Sequence, residues 1–245
     1  MKMNFYALII GTEILNSRRE DKHFIFLRDE LGKYGHELFA SFIVKDDVKL
    51  IKSTYELIKK DKSSIMFSFG GIGSTPDDLT RSIAADVFTS LPLHRHKEFE
   101  KDIIDRFQKE AYPYRIHMSD LPIGSELIFN PINNMSGFSL ENRFFFVPGF
   151  PQMSHPMVSH IIKKLFYNSD KKYRSTLLAQ TSENTLIGVM KKIPEHIELS
   201  SLPILSEDNI SVEISLLSTD EKELKKYFSL FTDVLKSSKI AYSLI

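Results

Sequence analysis

Residues 65–78 read Ile65-Met66-Phe67-Ser68-Phe69-Gly70-Gly71-Ile72-Gly73-Ser74-Thr75-Pro76-Asp77-Asp78, a short apolar run followed by a glycine-rich turn. The apolar run at 65–69 is typical of a strand buried on both faces, as in a parallel sheet. Thr75 is a good N-cap, Pro76 fits a first helical turn, and the two acids that follow are favourable at a positive helix end. We therefore expect a strand, a glycine-rich turn and a helix that begins at Thr75.

The same alternation of strand and helix precedes this stretch. The expected elements are a strand at Phe5–Ile10, a helix at Asp21–Tyr34, a strand at Leu38–Val44 and a helix that opens with Asp46-Asp47. Three alternations favour an α/β fold with a parallel sheet, helices on both faces and right-handed crossovers. Ligands bind such sheets beyond the carboxyl ends of the strands, which is where the turns at Gly11 and Gly70 fall.

The rest of the chain predicts the end of this domain and a second, smaller one. The expected elements are a helix at His94–Glu110, a loop with a short strand near Glu126–Phe129, a hairpin of Gly137–Leu140 and Arg143–Val147, a turn at Pro148–Pro151 and a helix at Met153–Phe166. Asn168–Lys172 is polar and predicts a linker. Strands are expected beyond it at Tyr173–Gln180, Ile210–Leu217 and Ile240–Leu244, with helices at Glu183–Lys192 and Glu221–Ser237. The sequence thus predicts domains at 1–167 and 168–245, the second a small α+β unit.

Charge and composition narrow the class of function. The chain has 32 basic and 32 acidic residues and no cysteine. The lack of cysteine excludes disulfides and thiolate metal sites. No apolar run reaches the roughly 18 residues of a membrane span. Because a nucleic-acid-binding protein usually has a basic excess, we expect a small-molecule ligand, no nucleic-acid or membrane partner, and a cytoplasmic location.

The glycine-rich turn has the composition of an anion site. Gly70, Gly71 and Gly73 allow positive φ angles and a close approach of the backbone to a ligand. The N–H groups at the following helix start favour an anion, and Ser74 and Thr75 add hydroxyl donors. We expect a phosphate-bearing ligand here, and a capped turn without a ligand is the alternative.

Carboxylates follow two of the predicted strands. Asp77 and Asp78 can divide their roles between a helix cap and a ribose or pterin donor, or they can hold a divalent cation that bridges phosphates. Glu13 directly follows Gly11 and Thr12, and it is either solvated or accepts from a ligand or a metal.

Three further motifs have weaker implications. The basic residues at 18–23 form either an anion clamp or a solvated helix face. The turn Pro148-Gly149-Phe150-Pro151 can present N–H groups to a ligand, although such turns are mostly structural. His94 and His96 are expected to be a solvated or packed pair, since no third metal ligand with suitable spacing is present.

Three of these segments together resemble a known family. Gly11–Leu15, Gly70–Arg81 and Val147–Pro151 are similar to the three motifs of the MoaB/Mog molybdopterin-binding domain. The form they resemble stands at the N-terminus of CinA, the competence/damage-inducible protein, and in eukaryotic FAD synthases. The resemblance covers residues 4–167 and implies a three-layer α/β/α fold with a site formed by the three turns. The C-terminal unit resembles the KH-like middle domain of CinA, but it lacks a GxxG loop and carries no implication of RNA binding.

The resemblance implies molybdopterin, or a related pterin phosphate or nucleotide, as the ligand. The residues expected to bind it are Gly11, Thr12, Gly70, Gly71, Gly73, Ser74, Thr75, Asp77, Pro148 and Gly149. Homo-oligomers, either dimers or trimers, are expected from the same family.

Two alternatives remain for the function. The first is a metal-dependent pyrophosphatase acting on ADP-ribose or a related dinucleotide. In it Asp78, Glu13 and Asp47 would be catalytic, and Asp78 and Glu13 would hold Mg²⁺, Mn²⁺ or Co²⁺. The second is a degenerate domain kept for assembly.

Overall fold

A computed structural model describes residues 3–167, 172–206 and 209–245, with only the backbone given for 205, 206 and 209. The chain divides into two compact units, Met1–Asn168 and Ser169–Ile245. The linker expected at Asn168–Lys172 lies outside the described residues except for Lys172. None of the described helices is long and apolar enough to cross a membrane.

A six-stranded sheet forms the centre of the first unit. The strands of this unit are β1 (Asn4–Ile10), β2 (Leu38–Val44), β3 (Ser64–Phe69), β4 (His94–Arg95), β5 (Asp120–Leu121), β6 (Glu126–Ile128), β7 (Gly137–Leu140) and β8 (Phe144–Val147). The order in the sheet is β2-β1-β3-β8-β7-β6, and β4 pairs with β5 apart from it. β1, β2, β3 and β8 are parallel, whereas β7 is antiparallel to both of its neighbours. The predicted hairpin around Glu141-Asn142 therefore forms and adds β7 and β8.

Helices cover both faces of this sheet. They are α1 (Thr12–Leu15), α2 (His23–Gly32), α3 (Val48–Lys60), α4 (Thr80–Ala84), α5 (Lys97–Phe107) and α6 (Pro151–Leu165), with a π-helical turn at Ala85–Thr89 and 3-10 turns at Gln108–Ala111 and Arg115–Ser119. Side chains of a strand alternate between its faces. On β1, Tyr6 and Leu8 pack in a core with α3, α4 and α5, whereas Phe5 and Ala7 pack in a core with α2 and α6. The predicted three-layer α/β/α fold is confirmed.

The helix start predicted at Thr75 is wrong. The helix α4 begins at Thr80, after Leu79. The Asp78 carboxylate accepts from the N–H and the hydroxyl of Thr75 at 2.8 and 2.7 Å, and the Asp78 N–H donates to the Thr75 carbonyl at 3.0 Å. Because Asp and Thr side chains compete with a helix for local backbone groups, residues 75–78 close a turn of their own. The glycine-rich turn is therefore longer than predicted.

The helix predicted at His94–Glu110 is shorter in the structure. His94 belongs to β4, and its Nδ1 lies 3.0 Å from the carbonyl oxygen of Leu121. His96 caps α5, since its Nδ1 accepts from the Phe99 N–H at 3.4 Å. Both histidines have structural contacts, as expected.

The second unit is a small α+β unit, as predicted. Its elements are β9 (Tyr173–Ala179), a 3-10 turn (Glu183–Thr185), α7 (Ile187–Met190), β10 (Glu198–Ser206), β11 (Asn209–Ser218), α8 (Glu221–Ser237) and β12 (Tyr242–Leu244). The antiparallel order is β10-β11-β9-β12, and α8 packs Leu224 and Phe231 into the core of this unit. The sequence did not predict β10. This strand lies at the edge of the sheet and contains Pro203, which has no backbone N–H to donate to a neighbouring strand and argues against a strand in the sequence.

Candidate functional site

A cavity of about 680 Å³ opens at the carboxyl ends of β1, β3 and β8. Parallel strands bring their carboxyl ends to one edge of the sheet, so three turns that are distant in sequence meet there. Of the ten predicted ligand-binding residues, all but Thr12 line the described cavity, and Glu13 and Asp78 line it too.

The turn after β3 depends on glycines where it passes close to its neighbours. Gly70 and Gly71 have φ angles of +101° and +68°. A Cβ on Gly70 would clash with the carbonyl oxygen of Ile10, and a Cβ on Gly71 would lie 2.5 Å from Oγ1 of Thr80. A Cβ on Gly149 would lie 3.3 Å from the Cα of Gly70. The turns after β1, β3 and β8 thus pack against one another through backbone.

Thr80 holds the first two carbonyl groups of this turn. Its Oγ1 donates to the carbonyl oxygen of Gly70 at 2.9 Å, and its N–H donates to that of Gly71 at 3.0 Å. Thr80 is fully buried. In a trans peptide the N–H group points opposite to the carbonyl group. The N–H groups of Gly71 and Ile72 therefore point away from Thr80.

Arg81 holds the next two carbonyl groups in the same manner. Its Nη1 donates to the carbonyl oxygen of Ile72 and, at 2.5 Å, to that of Gly73. The side chain is buried, which lowers the pKa of the guanidinium, and its Nε has no hydrogen-bond partner among the described residues. The N–H groups of Gly73 and Ser74 consequently point away from Arg81.

A run of four N–H groups results, and we call the residues that carry it, Gly71–Ser74, the N–H turn. All four residues line the cavity. None of their N–H groups donates to another residue in the described part of the chain. Successive backbone N–H groups without internal partners form a concavity that binds anions. The N–H turn therefore has the geometry of an anion site.

Asp77 and Asp78 add acceptors to the same turn. The Thr75 hydroxyl lies 2.5 Å from Oδ1 of Asp77 and 2.7 Å from Oδ2 of Asp78. The hydrogen bond from Thr75 holds the pKa of Asp77 below its usual value. Asp77 is therefore an ionised acceptor, suited to the donors of a ribose or a pterin rather than to a second phosphate.

Asp46, which follows β2, lies at the cavity, where the family resemblance implies Asp47. Asp46 Oδ2 accepts from the N–H and the hydroxyl of Thr12, both at 2.8 Å, and Asp46 lines the cavity with Glu13. Asp47 instead caps α3, and its Oδ1 accepts from the Leu50 N–H at 2.8 Å. The helix cap occupies the Asp47 side chain, which leaves Asp46 to fix the turn after β1.

The carboxylates of the described residues do not form a metal site at this cavity. Within residues 3–167, 172–206 and 209–245, no group of three or more His, Asp or Glu side chains is arranged to hold a metal ion. Glu13 and Asp78, the predicted cation ligands, both line the cavity. Asp78, however, already accepts two hydrogen bonds from Thr75.

A second wall of the cavity is apolar, and the sequence did not predict it. We call it the apolar wall, and its side chains are those of Phe99, Phe107, Met118, Met135 and Met153. Arg115 lines the cavity beside it, with its Cζ 4.6 Å from the centroid of the Phe107 ring. These residues come from α5, from 108–119, from the loop before β7 and from α6, so no local motif marks them. The only signal is the density of aromatic residues at 107–118, a segment that ends in Met118.

The turn after β8 rests on a buried histidine. His23 Nε2 lies 3.3 Å from the carbonyl oxygen of Gly149, and its ring stacks on Phe69 with centroids 4.4 Å apart. Burial lowers the pKa of His23, and because the carbonyl oxygen of Gly149 can only accept, Nε2 is the donor. Arg19 lies over the ring of Phe150, 5.6 Å from its centroid, and both residues line the cavity.

Comparison with known proteins agrees with this geometry. Residues 6–167 match the family model described as "Probable molybdopterin binding domain". The matched region contains all three turns and the sheet that carries them.

Individual relatives extend the comparison. A CinA-like protein of Sulfurihydrogenibium sp. strain YO3AOP1 is 25% identical over 240 residues, covering 91% of this chain and 57% of that protein. A CinA-like protein of Acaryochloris marina is 31% identical over 164 residues, covering 64% of this chain and 39% of that protein. The chain thus spans 57% and 39% of the lengths of these two curated relatives.

One solved structure supports the fold. The crystal structure of CinA from Thermoplasma acidophilum superposes with a TM-score of 0.60 at 23% identity, covering 66% of this chain and 97% of that chain. From the family match we conclude that the chain belongs to the family described as a probable molybdopterin-binding domain, and it is similar to CinA-like proteins.

Proposed function

We propose that the chain binds molybdopterin, or a related pterin phosphate or nucleotide, in this cavity. The observation that carries the proposal is the N–H turn, whose four N–H groups line the cavity and lack partners among the described residues. A phosphate supplies the acceptors that these groups need. Membership of the molybdopterin-binding family supports a pterin-type ligand.

The size and charge of the cavity favour a ligand larger than a bare anion. A volume of about 680 Å³ lies within the range of roughly 300–1,000 Å³ that is usual for small-molecule sites. Asp77 and Glu13 can accept from ribose hydroxyl or pterin N–H groups, and Arg18 and Arg19 add positive charge. Nothing in the geometry or in the comparisons specifically favours the pyrophosphatase alternative, so the proposal is restricted to binding.

Isothermal titration calorimetry with molybdopterin, and separately with its adenylylated form, tests the proposal. We expect saturable binding of at least one of them, weakened by Gly71→Ala. Gly124→Ala is a matched control, because Gly124 also has a positive φ, +82°, but no atom lies within 4 Å of an added Cβ. Absence of heat with both ligands would contradict the proposal.

We further propose that the chain works as a homo-oligomer, a dimer or a trimer. The strand β2 supports this. It lies at the edge of the sheet, and no described strand pairs with its outer edge. Its side chains Phe39 and Ile43 are 61% and 39% exposed. Unpaired apolar edge strands favour pairing with another chain. Sedimentation velocity over a dilution series should give the mass of a dimer or a trimer, and a monomer throughout would contradict this part of the proposal.

A further inference from the structure

The two edges of the six-stranded sheet differ in how well they are protected against a further strand. The edge strand β2 pairs with β1, and no described strand pairs with its other side. Its seven residues, Leu38–Val44, include no charged residue and no proline, two of the usual means of protecting an edge. The opposite edge strand, β6, has only three residues, and one of them is Glu126. Of the two edges, β2 therefore has the length and composition to accept another strand.

The backbone groups of β2 that point outward follow from its contacts. The Val44 carbonyl oxygen accepts from the Gly11 N–H at 3.0 Å, so it points toward the chain that continues β1. The N–H and C=O groups of successive strand residues point to opposite sides of the strand. Those of Ser41 and Ile43 therefore point outward. A shift in the register with β1 leaves Phe39 without a partner on β1, and its side chain is exposed.

The sequence around Ser41 is complementary to itself in an antiparallel arrangement. Ser41 is the central residue of β2. When Ser41 of one copy faces Ser41 of a second copy, Phe39 faces Ile43, and Glu37 faces Lys45. Each large apolar side chain then meets another, and each charge meets an opposite charge. All five side chains are exposed, and cross-strand pairs of these kinds stabilise a sheet.

Neighbouring registers lack this complementarity. A shift by one residue sets the outward backbone groups of Ser41 against inward groups of the second copy. A shift by two residues places Lys45 opposite Phe39 or, in the other direction, Glu37 opposite Ile43. Of these registers, the one centred on Ser41 alone satisfies both the backbone and the side chains.

Helix α3 extends the exposed apolar surface beside β2. The Nζ atoms of Lys52 and Lys59 lie 2.6 and 2.5 Å from oxygen atoms of the turn at Ala85–Thr89, on one side of the helix. Leu50 and Leu57 lie on the opposite side and are exposed. Because α3 connects β2 to β3 and the turn at Ala85–Thr89 comes after β3, these leucines are on the side of β2.

From these observations we infer that β2 binds a second copy of this chain, antiparallel to β2 of that copy, with Ser41 on the two-fold axis. The two central sheets then form one continuous sheet. Because the axis is perpendicular to the sheet, both α3 helices stay on one face, and Leu50 and Leu57 of the two copies approach each other there. The inference rests on the proposed homo-oligomer and goes beyond it by specifying a dimer, its surface and its register.

Disulfide crosslinking of the full chain at Ser41 tests the inference. The chain has no cysteine, so Ser41→Cys introduces a single thiol. Facing residues of a hydrogen-bonded antiparallel pair have Cα atoms about 5.5 Å apart, within the range of a disulfide. With oxidised glutathione as the oxidant, we expect most of the variant to run as a covalent dimer in non-reducing electrophoresis. Ser229→Cys, at an exposed serine of α8, is the matched control and should remain largely monomeric.

An exchange of charges tests the register. Lys45→Glu places like charges opposite Glu37 at two positions of the dimer, so we expect the dimer dissociation constant to rise about tenfold in sedimentation velocity. Glu37→Lys combined with Lys45→Glu restores opposite charges and should recover the wild-type value. Lys236→Glu, at an exposed lysine of α8, is the matched control and should leave the dissociation constant unchanged.

The outcomes separate the inference from the proposal on which it rests. A wild-type trimer, or a dimer in which Ser41→Cys crosslinks no more than Ser229→Cys, would overturn the inference and leave the homo-oligomer in place. A double charge variant that dissociates as readily as Lys45→Glu would overturn the register. A wild-type monomer at every concentration would overturn the homo-oligomer and the inference together, whereas ligand binding is measured separately by calorimetry.

Discussion

The N–H turn and the apolar wall border one cavity, but the chain builds them differently. The N–H turn uses backbone groups, and Thr80 and Arg81 orient them within a segment of eleven residues, 71–81. The apolar wall uses side chains that come together only when α5, the loops and α6 have packed on the sheet. A local motif therefore builds the proposed anion site, whereas tertiary packing builds the apolar side of the same cavity.

The largest effect is expected when a methyl group is added to the N–H turn. At Gly71 the new Cβ would face Oγ1 of Thr80 at 2.5 Å, and the φ of +68° is strained for alanine. We expect Gly71→Ala to weaken the binding of pyrophosphate and of molybdopterin alike, on the order of a hundredfold, in calorimetry. An unchanged affinity in Gly71→Ala, alongside an unchanged Gly124→Ala control, would show that the turn does not hold the anion.

A somewhat smaller effect is expected when the side chain behind the turn is changed. Arg81→Met removes the donor that orients the peptides of Ile72 and Gly73. Hydrogen bonds from a charged group contribute about 1.5–3 kcal/mol each, so we expect the loss of both to lower stability by about 3 kcal/mol or more in urea unfolding. We also expect an approximately tenfold weaker affinity for pyrophosphate.

Rescue distinguishes orientation of the turn from general stability. Arg81→Lys keeps the charge but not the planar fork, so it should recover stability more fully than pyrophosphate affinity. If Arg81→Met lost stability but bound pyrophosphate like the wild type, the role of Arg81 in orienting the turn would be wrong.

Two adjacent aspartates provide a finer comparison. Asp46→Ala should weaken ligand binding several-fold, because Asp46 fixes Thr12 in the turn after β1. Asp47→Ala should cost about 1 kcal/mol of stability through loss of the α3 cap and leave ligand affinity unchanged. Calorimetry and urea unfolding of both variants separate the two roles, and a binding defect confined to Asp47→Ala would reverse the assignment.

The smallest effect concerns the packing beneath the turn after β8. His155 stacks on Phe26 with centroids 3.7 Å apart, and its buried Nε2 has no hydrogen-bond partner among the described residues. Burial lowers the pKa of His155 from 6.5 to about 4, and a proton on the neighbouring His23 would lower it further. The folded state therefore keeps His155 neutral while the unfolded state takes up a proton below pH 6.5.

This difference predicts the sign of a pH dependence. The contribution of neutral His155 to stability is complete above pH 6.5 and is lost progressively as the pH falls toward about 4. His155→Phe keeps the stacking on Phe26 and should make the unfolding free energy less dependent on pH across this window. Urea unfolding at several pH values measures this, and an identical slope in the variant would contradict it.

The sequence predicts the parts of the site that depend on local chemistry. Glycines at strand ends specify the turns after β1 and β3, and alternating strands and helices specify the three-layer fold. The choice between Asp46 and Asp47 is not predictable in this way, because either aspartate can cap a helix and only tertiary contact with Thr12 separates them. The start of α4 was missed for a related reason, since Asp78 bonds back to Thr75 instead of extending a helix.

The apolar wall is the part of the cavity that the sequence predicts least. Phe99 and Met153 are on different helices, and nothing in the spacing of either helix indicates that the two face one cavity. Apolar residues at helical spacing predict burial in a core, and a ligand wall made from the same residue types has the same pattern. Only the packed fold distinguishes a core residue from a residue that lines a cavity.

The most direct test of the N–H turn is a titration of the ¹⁵N-labelled chain with inorganic pyrophosphate, followed by amide NMR. The account predicts that the amides of Gly71, Ile72, Gly73 and Ser74 shift downfield together and more than any other amides, as expected for N–H groups that begin to donate to an anion. It also predicts that Gly71→Ala abolishes this response. Saturable shifts concentrated elsewhere, with these four amides unmoved, would contradict it.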